Sequence, residues 1–288
     1  MLVRPYQRTD IEPVRKLLTR TFGTSEIFDR FAVGNPLGEF VAVVAVSAEA
    51  EGTIVGFNIW NPWLVQTSAG PVIAYQSGAS AVDESMRGRG VFGQLLRAGE
   101  SVARGRGVEM LFGFPNPASL PAFVKGGWDH ALSLRIFVSP LPSIGLGCQT
   151  SAAPTADVTT SMAARFVAWR YARAGVTGHR AELRDGRTVT LYARTERRMG
   201  ARVNKLLDVV DHTGQRVTDT LGAIGARLPG PGVNILRAVT PPPGLPPWLH
   251  VRRNWETPLI LKRLIDGVGP DYAAFRNASY WYGDIDAS

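Results

Sequence analysis

The 288 residues are 45% hydrophobic and 19% charged, the balance of a folded globular chain, and are enough for one large domain or two ordinary ones. Cys148 is the only cysteine, which excludes an intramolecular disulfide and a cysteine zinc cluster, and His130, His179, His212 and His250 stand at no metal-ligand spacing. The net charge of +8 favours anionic partners, but its basic residues are scattered, so no nucleic-acid partner and no metal is expected.

The longest uninterrupted apolar run, Phe40 to Val46, is far short of the roughly 20 residues that a membrane span needs. The N-terminus carries no signal-peptide apolar region, so the expectation is a cytoplasmic protein without a membrane partner.

The first predicted element is an amphipathic helix over "DIEPVRKLLTRTF", with Ile11, Val14, Leu17, Leu18 and Phe22 on one face and Asp10 at its start. A short helix in "EIFDRFAV" ends at the turn residues "GNPLG". Three strands follow, in "EFVAVVAVS", "GTIVGFNIWNPWLV" and "GPVIAYQSGASAV", read as an antiparallel meander. A helix over 90–106, a strand in "VEMLFGF", a loop "PNPAS" and a brief helix in "LPAFVKGGW" complete the first half.

Residues 140–160 are rich in Pro, Gly, Ser, Thr and Ala, which is linker composition. They divide the chain into 1–147, a linker at 148–160, and 161–288. The second half opens with a helix in "SMAARFVAWRYARA" and a hairpin in "HRAELRDGRTVTLYARTE", where Asp185-Gly186 marks the turn. A helix in "QRVTDTLGAIGARL", a strand in "GVNILRAV", the proline-rich "TPPPGLPPW" and the apolar "ETPLILKRL" follow. Helix, hairpin, helix and strand recur in the same order in both halves, which suggests a decayed duplication.

The chemistry concentrates in "MRGRGVFGQLL", residues 86–96. Gly88 and Gly90 leave the backbone bare where a strand gives way to a helix, and Arg87 and Arg89 supply charge. Unpaired N–H groups at a helix start suit an anion that can approach closely, such as a pyrophosphate. A tight turn with solvated arginines explains the same residues without a ligand. The stretch is neither a dinucleotide fingerprint nor a P-loop.

"AVDESMRGRGVFGQLL" resembles the acyl-CoA pyrophosphate loop of the GNAT superfamily of N-acyltransferases, whose pattern is Gln/Arg, two residues, Gly, one residue, Gly/Ala. Arg87 and Gly90 match it, Phe92 departs from its last position, and Gly93 follows. Downstream, "PNPASLPAFVKGGW" is similar to the family's segment in which an Asn precedes a short helix ending in Gly-aromatic, with Asn116, Ser119, Phe123, Gly127 and Trp128 in place. The second half, through "FVAWRY" and "YWYGDID", resembles GNAT-like proteins of sugar and polysaccharide pathways.

The resemblance implies a mixed α/β fold with an N-terminal GNAT lobe, followed by a degenerate GNAT-like lobe serving the acceptor side or dimerisation. It implies acetyl-CoA or another acyl-CoA as co-substrate. The backbone of Ala81 and Val82 would hold the pantetheine and thioester, and Arg87, Gly88, Arg89, Gly90, Val91, Phe92 and Gly93 the pyrophosphate. Asn116, Ser119 and Phe123 would line the thiol side. Val82, Ser119 and Asp284 are the candidate catalytic residues, and the acceptor is a small-molecule amine such as an amino sugar, an antibiotic or another metabolite. Phe123 stands where the family often has a Tyr that protonates the thiolate, which leaves room for a protein that binds CoA without turnover.

Overall fold

The computed structural model describes residues 1–26, 28–29, 33–48, 52–67, 70–139, 161–172, 175–182, 186–198, 200–215, 217, 233–238, 249–251, 256–265 and 272–276. They form two compact units. The first comprises Met1–Leu64, Val72–Ala131 and Pro258–Tyr272, and the second Val65–Pro71, Leu132–Thr257 and Ala273–Ser288.

In the first unit, strand β1 (Leu2–Pro5) precedes helix α1 (Ile11–Phe22). Strands β2 (Val41–Val46), β3 (Ile54–Thr67) and β4 (Gly70–Val82) form the expected meander. Helix α2 (Val91–Gly105), strand β5 (Met110–Gly113) and helix α3 (Leu120–Lys125) follow as the apolar spacing predicts. The strand order is β1-β2-β3-β4-β5-β12, where β12 is Thr257–Arg263. The β4–β5 pair is parallel, while β12 runs antiparallel to β5 with Ile260 opposite Gly113 and Lys262 opposite Leu111.

Helix α2 lies on the sheet face that carries Val41, Val43, Ala45 and Trp60, where Val91, Leu95, Leu96 and Ala103 complete a buried cluster. The alternate residues of β3 point the other way, and there Phe57 meets Phe28 and Tyr6, with Phe40 against both of these rings.

The linker composition places 257–263 with the second half, whereas the structure groups Pro258–Tyr272 with the first unit. The physical reason is the edge of β5, which "TPLILKR" pairs and covers. Lys262 anchors the strand: its Nζ donates to Glu100 Oε2 on α2 and to the carbonyl of Gly126, both at 2.6 Å. Glu100 Oε1 accepts in addition from Trp128 Nε1 at 2.8 Å.

The second unit has helix α4 (Met162–Tyr171) and strands β6 (Asp129–Ser139), β7 (Val176–Glu182), β8 (Thr188–Arg198), β9 (Ala201–Asp211), β10 (Val233–Ala238) and β11 (Leu249–Val251). Its order is β6-β10-β9-β8-β7, with β11 on β6. Here too an antiparallel meander, β7-β8-β9, is extended by a parallel strand, β10, and then by an antiparallel one, β6. The closing strand of each sheet comes from the other half of the chain. Of the helix expected in "QRVTDTLGAIGARL", Gln215 and Val217 instead bond to β9 through Asp211 and Val209, while the rest of it, the loop "TPPPGLPPW" and the linker lie outside the described residues.

Candidate functional site

The site begins where β4 and β5 stop pairing. Their register runs Tyr75–Leu111, Gln76–Phe112 and Ser77–Gly113, after which β5 ends while β4 continues to Val82. Beyond Ser77 no described strand covers that edge of β4. Ala79, at φ 43°, is the one described non-glycine residue in the left-handed range, and it breaks the regular pleat inside the open stretch. Asp83 donates its N–H to Val55 on β3. Alternation along the strand therefore turns the N–H and C=O of Val82 toward the open edge. The side chain of Ala81 is buried and that of Val82 half-buried.

The chain then enters a 3-10 turn over Glu84–Met86, capped by Asp83, whose Oδ1 accepts from Ser85 N and Ser85 Oγ. Those bonds, with Arg20 2.9 Å from Asp83 Oδ2, hold the Asp83 carboxyl below its ordinary range. Asp83 is thus occupied as a cap. Arg87, Gly88, Arg89 and Gly90 form an exposed turn, with Gly88 at φ 74° and Gly90 at φ 73°. A β-carbon at either position would meet nothing within 4 Å, so both glycines are required by backbone conformation alone.

Helix α2 starts at Val91, and its first intrahelical bond is Gln94 N–H to Gly90 O. The amides of Val91, Phe92 and Gly93 precede that bond and give the turn the positive end of a fifteen-residue helix. The glycines are thus conformational, and the turn they make leads the chain from Arg87 and Arg89 into the first amides of α2.

Across the opening, after β5, Asn116 Oδ1 accepts from Ser119 N, and Ser119 Oγ donates to Asn116 O at 3.2 Å. The pair thereby shapes the entry to α3. Phe123 is buried edge-on between Phe92, at 5.3 Å, and Trp128, at 4.9 Å. Its ring is core packing and offers no hydroxyl. Asp284 lies outside the described residues. Trp60 and Trp63 are fully buried, and Tyr75 OH reaches Glu39 O at 3.3 Å.

Sequence reasoning assigned no role to the polar side chains buried in β3 and β4. Asn58, Asn61 and Gln76 are all within 2% of full burial. Asn58 donates to Ser80 Oγ, but its Oδ1 has no partner among the described residues, and neither amide atom of Asn61 has one. An unsatisfied buried polar group costs about 1–3 kcal/mol. The signal available in the sequence was two asparagines in the run Ile54–Val65, which is otherwise apolar, against the usual strand preference.

The corresponding edge of the second unit is closed. There β9 pairs with β10 from Val203 to Leu206 and continues to Asp211. Asp211 donates its N–H to Gln215 O and Val209 O accepts from Val217 N, each at 2.9 Å, so the chain's own return occupies the edge. Asp211 Oδ1 fixes that return by accepting from Thr213 and Gln215. Among the described residues no three His, Cys, Asp or Glu side chains come together as a metal site, and no helix is long and apolar enough to cross a membrane.

This fold has counterparts among solved GCN5-related N-acetyltransferases. The chain superposes on such a protein from Anabaena variabilis with a TM-score of 0.64 at 13% identity, over 92% of this chain and 73% of that one. A probable N-acyltransferase from Enterococcus faecalis gives 0.60 at 11% identity, over 91% and 72%. The N-myristoyltransferase of Saccharomyces cerevisiae, solved with bound myristoyl-CoA, gives 0.52 at 10% identity, over 78% and 71%. No protein-family model and no curated protein sequence matches the chain. The likeness is one of fold.

Proposed function

We propose that this chain is an acyl-CoA-dependent N-acyltransferase acting on the primary amine of a small molecule, with an amino sugar, free or nucleotide-linked, as the first acceptor class. The reading rests on one observation: the open β4 edge from Gly78 to Val82 runs directly into the arginine-glycine turn and the free amides of α2. A thioester carbonyl at the edge and a pyrophosphate at the turn are the two groups that a CoA ester presents to such a surface.

In this reading the N–H of Val82 donates to the thioester oxygen as negative charge develops on it. One such donor lowers the barrier by about 3 to 4 kcal/mol. The neutral amine nitrogen attacks the carbonyl carbon, the C–S bond breaks, and the nitrogen loses a proton to solvent. Phe123 leaves no side-chain acid at its position, so the sulfur departs as a thiolate, which a thiol pKa of about 8.5 permits. Ser119 and the Asn116 segment border the thiol side.

The packed Phe123 ring also favours a second reading, a protein that binds CoA esters without turnover. Calorimetric titration with acetyl-CoA, paired with thiol release on an amine panel, tests both. Micromolar binding with thiol release supports the enzyme, binding alone supports the second reading, and no binding removes both.

A further inference from the structure

We propose that Asn61 on β3 selects the acceptor by hydrogen-bonding an uncharged hydroxyl or amide group of it. This inference rests on the acyltransferase reading and names the substrate chemistry at the same site.

Between Ile54 and Val82 the sequence contains no Asp, Glu, Lys, Arg or His. The two strands that lead into the open edge therefore offer amides and hydroxyls but no formal charge. Asn61 is fully buried, and both of its amide atoms lack a partner among the described residues. A leucine would fill similar space in a strand without leaving those atoms orphaned. An amide kept there is accounted for by a group that completes its bonds.

Its position fits that role. Thr67 faces Gly70 at the hairpin end and Asn58 faces Ser80 farther along, so Asn61 falls near Gln76, two residues before the β4 edge opens at Gly78. Tyr75 and Trp60 belong to the cluster under α2. By alternation Gln76 and Asn61 point to the opposite face, and the two amides share it. Next to Asn61, the carbonyl of Pro62 accepts from Asn35 Nδ2 at 2.9 Å, and Asn35 Oδ1 accepts from Leu37 N. This pins the 34–38 loop to β3 next to Asn61, between Gly34 and Gly38, both at positive φ.

An amide side chain donates on one side and accepts on the other. A hydroxyl matches both, whereas a carboxylate or a second ammonium would be desolvated against strands with no counter-charge. The acceptor class is thus a primary amine on a neutral, hydroxyl-bearing scaffold, with little place for a polycation.

The test compares amino sugars such as glucosamine with hydroxyl-free cyclic amines such as cyclohexylamine, reading thiol release from acetyl-CoA for the wild type and Asn61→Leu. Wild type is expected to favour the amino sugars. Asn61→Leu is expected to lower kcat/KM for them at least tenfold, to leave cyclohexylamine within twofold, and to keep acetyl-CoA affinity and Tm. Should the leucine variant fail to fold, Asn61→Ser provides the same ratio. Selectivity unchanged by the substitution, or a wild type that accepts only hydroxyl-free amines, overturns the role of Asn61 while the acyltransferase stands. A wild type that releases no thiol with any amine overturns the enzyme reading, and this inference with it.

Discussion

Gly99 of α2 sits flat against the indole of Trp60 on β3: a β-carbon at Gly99 would lie 1.9 Å from Trp60 Cη2. The helix accepts a glycine in its interior because Trp60 is fully buried and fills the space that a side chain would take. Gly99→Ala should therefore destabilise the protein, by about 1–3 kcal/mol for an overpacked core, although alanine is the better helix former. Thermal unfolding checks this, and Trp60→Phe combined with Gly99→Ala should recover part of the loss.

Gly90 is free of steric neighbours but holds φ at 73°. Gly90→Ala and Gly90→Asp should each cost about 1–2 kcal/mol of stability from the left-handed conformation alone. Only the aspartate should also abolish acetyl-CoA binding, because it sets a negative charge at the start of α2. Equal affinities of the two variants by calorimetry would remove the pyrophosphate site.

Lys262 and Glu100 are tied at 2.6 Å, with side-chain exposures of 18% and 10%. Lys262→Met should cost about 3–5 kcal/mol, the penalty for leaving a buried carboxylate unpaired. Lys262→Met with Glu100→Gln should cost less than the single change. Urea unfolding of the three proteins measures the difference.

His179 in β7 is buried, and its Nδ1 has no partner among the described residues. Burial, helped by the charge of Arg202, pushes its pKa below the ordinary histidine value. The unfolded chain then binds the proton first, so stability should be full at neutral pH and fall as pH drops below about 6.5. His179→Leu should flatten that dependence in thermal melts taken between pH 7 and pH 5.

The closed β9 edge predicts stoichiometry. Because Gln215 and Val217 occupy it through Asp211 and Val209, acetyl-CoA should titrate to one equivalent per chain. Two equivalents by calorimetry would contradict that closure.

Most elements of the first unit were legible in the sequence because local periodicity encodes them: α1 and α2 by their apolar stripes, the meander by turn residues between β-branched runs. The arginine-glycine turn was legible because few side chains tolerate positive φ. The strands β1, β6, β9 and β11 are absent from the predicted elements. In β9 the run Val203–Val210 is buried on both faces, so it lacks alternation, and Lys205 and Asp208 interrupt its apolar character. The left-handed backbone at Ala79 has no signature, since alanine rarely adopts that conformation. The pairing of β12 with β5 spans about half the chain, and nothing local specifies it.

That last pairing sets an order of events during translation. Residues 1–131 leave the ribosome with β5 still missing its neighbour, and the edge stays uncovered until Thr257–Arg263 has been made. β6 is meanwhile synthesised well before β10, the strand that it pairs with. Neither sheet can close on a nascent chain that stops between the halves, so a ribosome stalled near residue 147 should display a protease-sensitive first unit. The same fragment should become protected when residues 161–288 are supplied in trans.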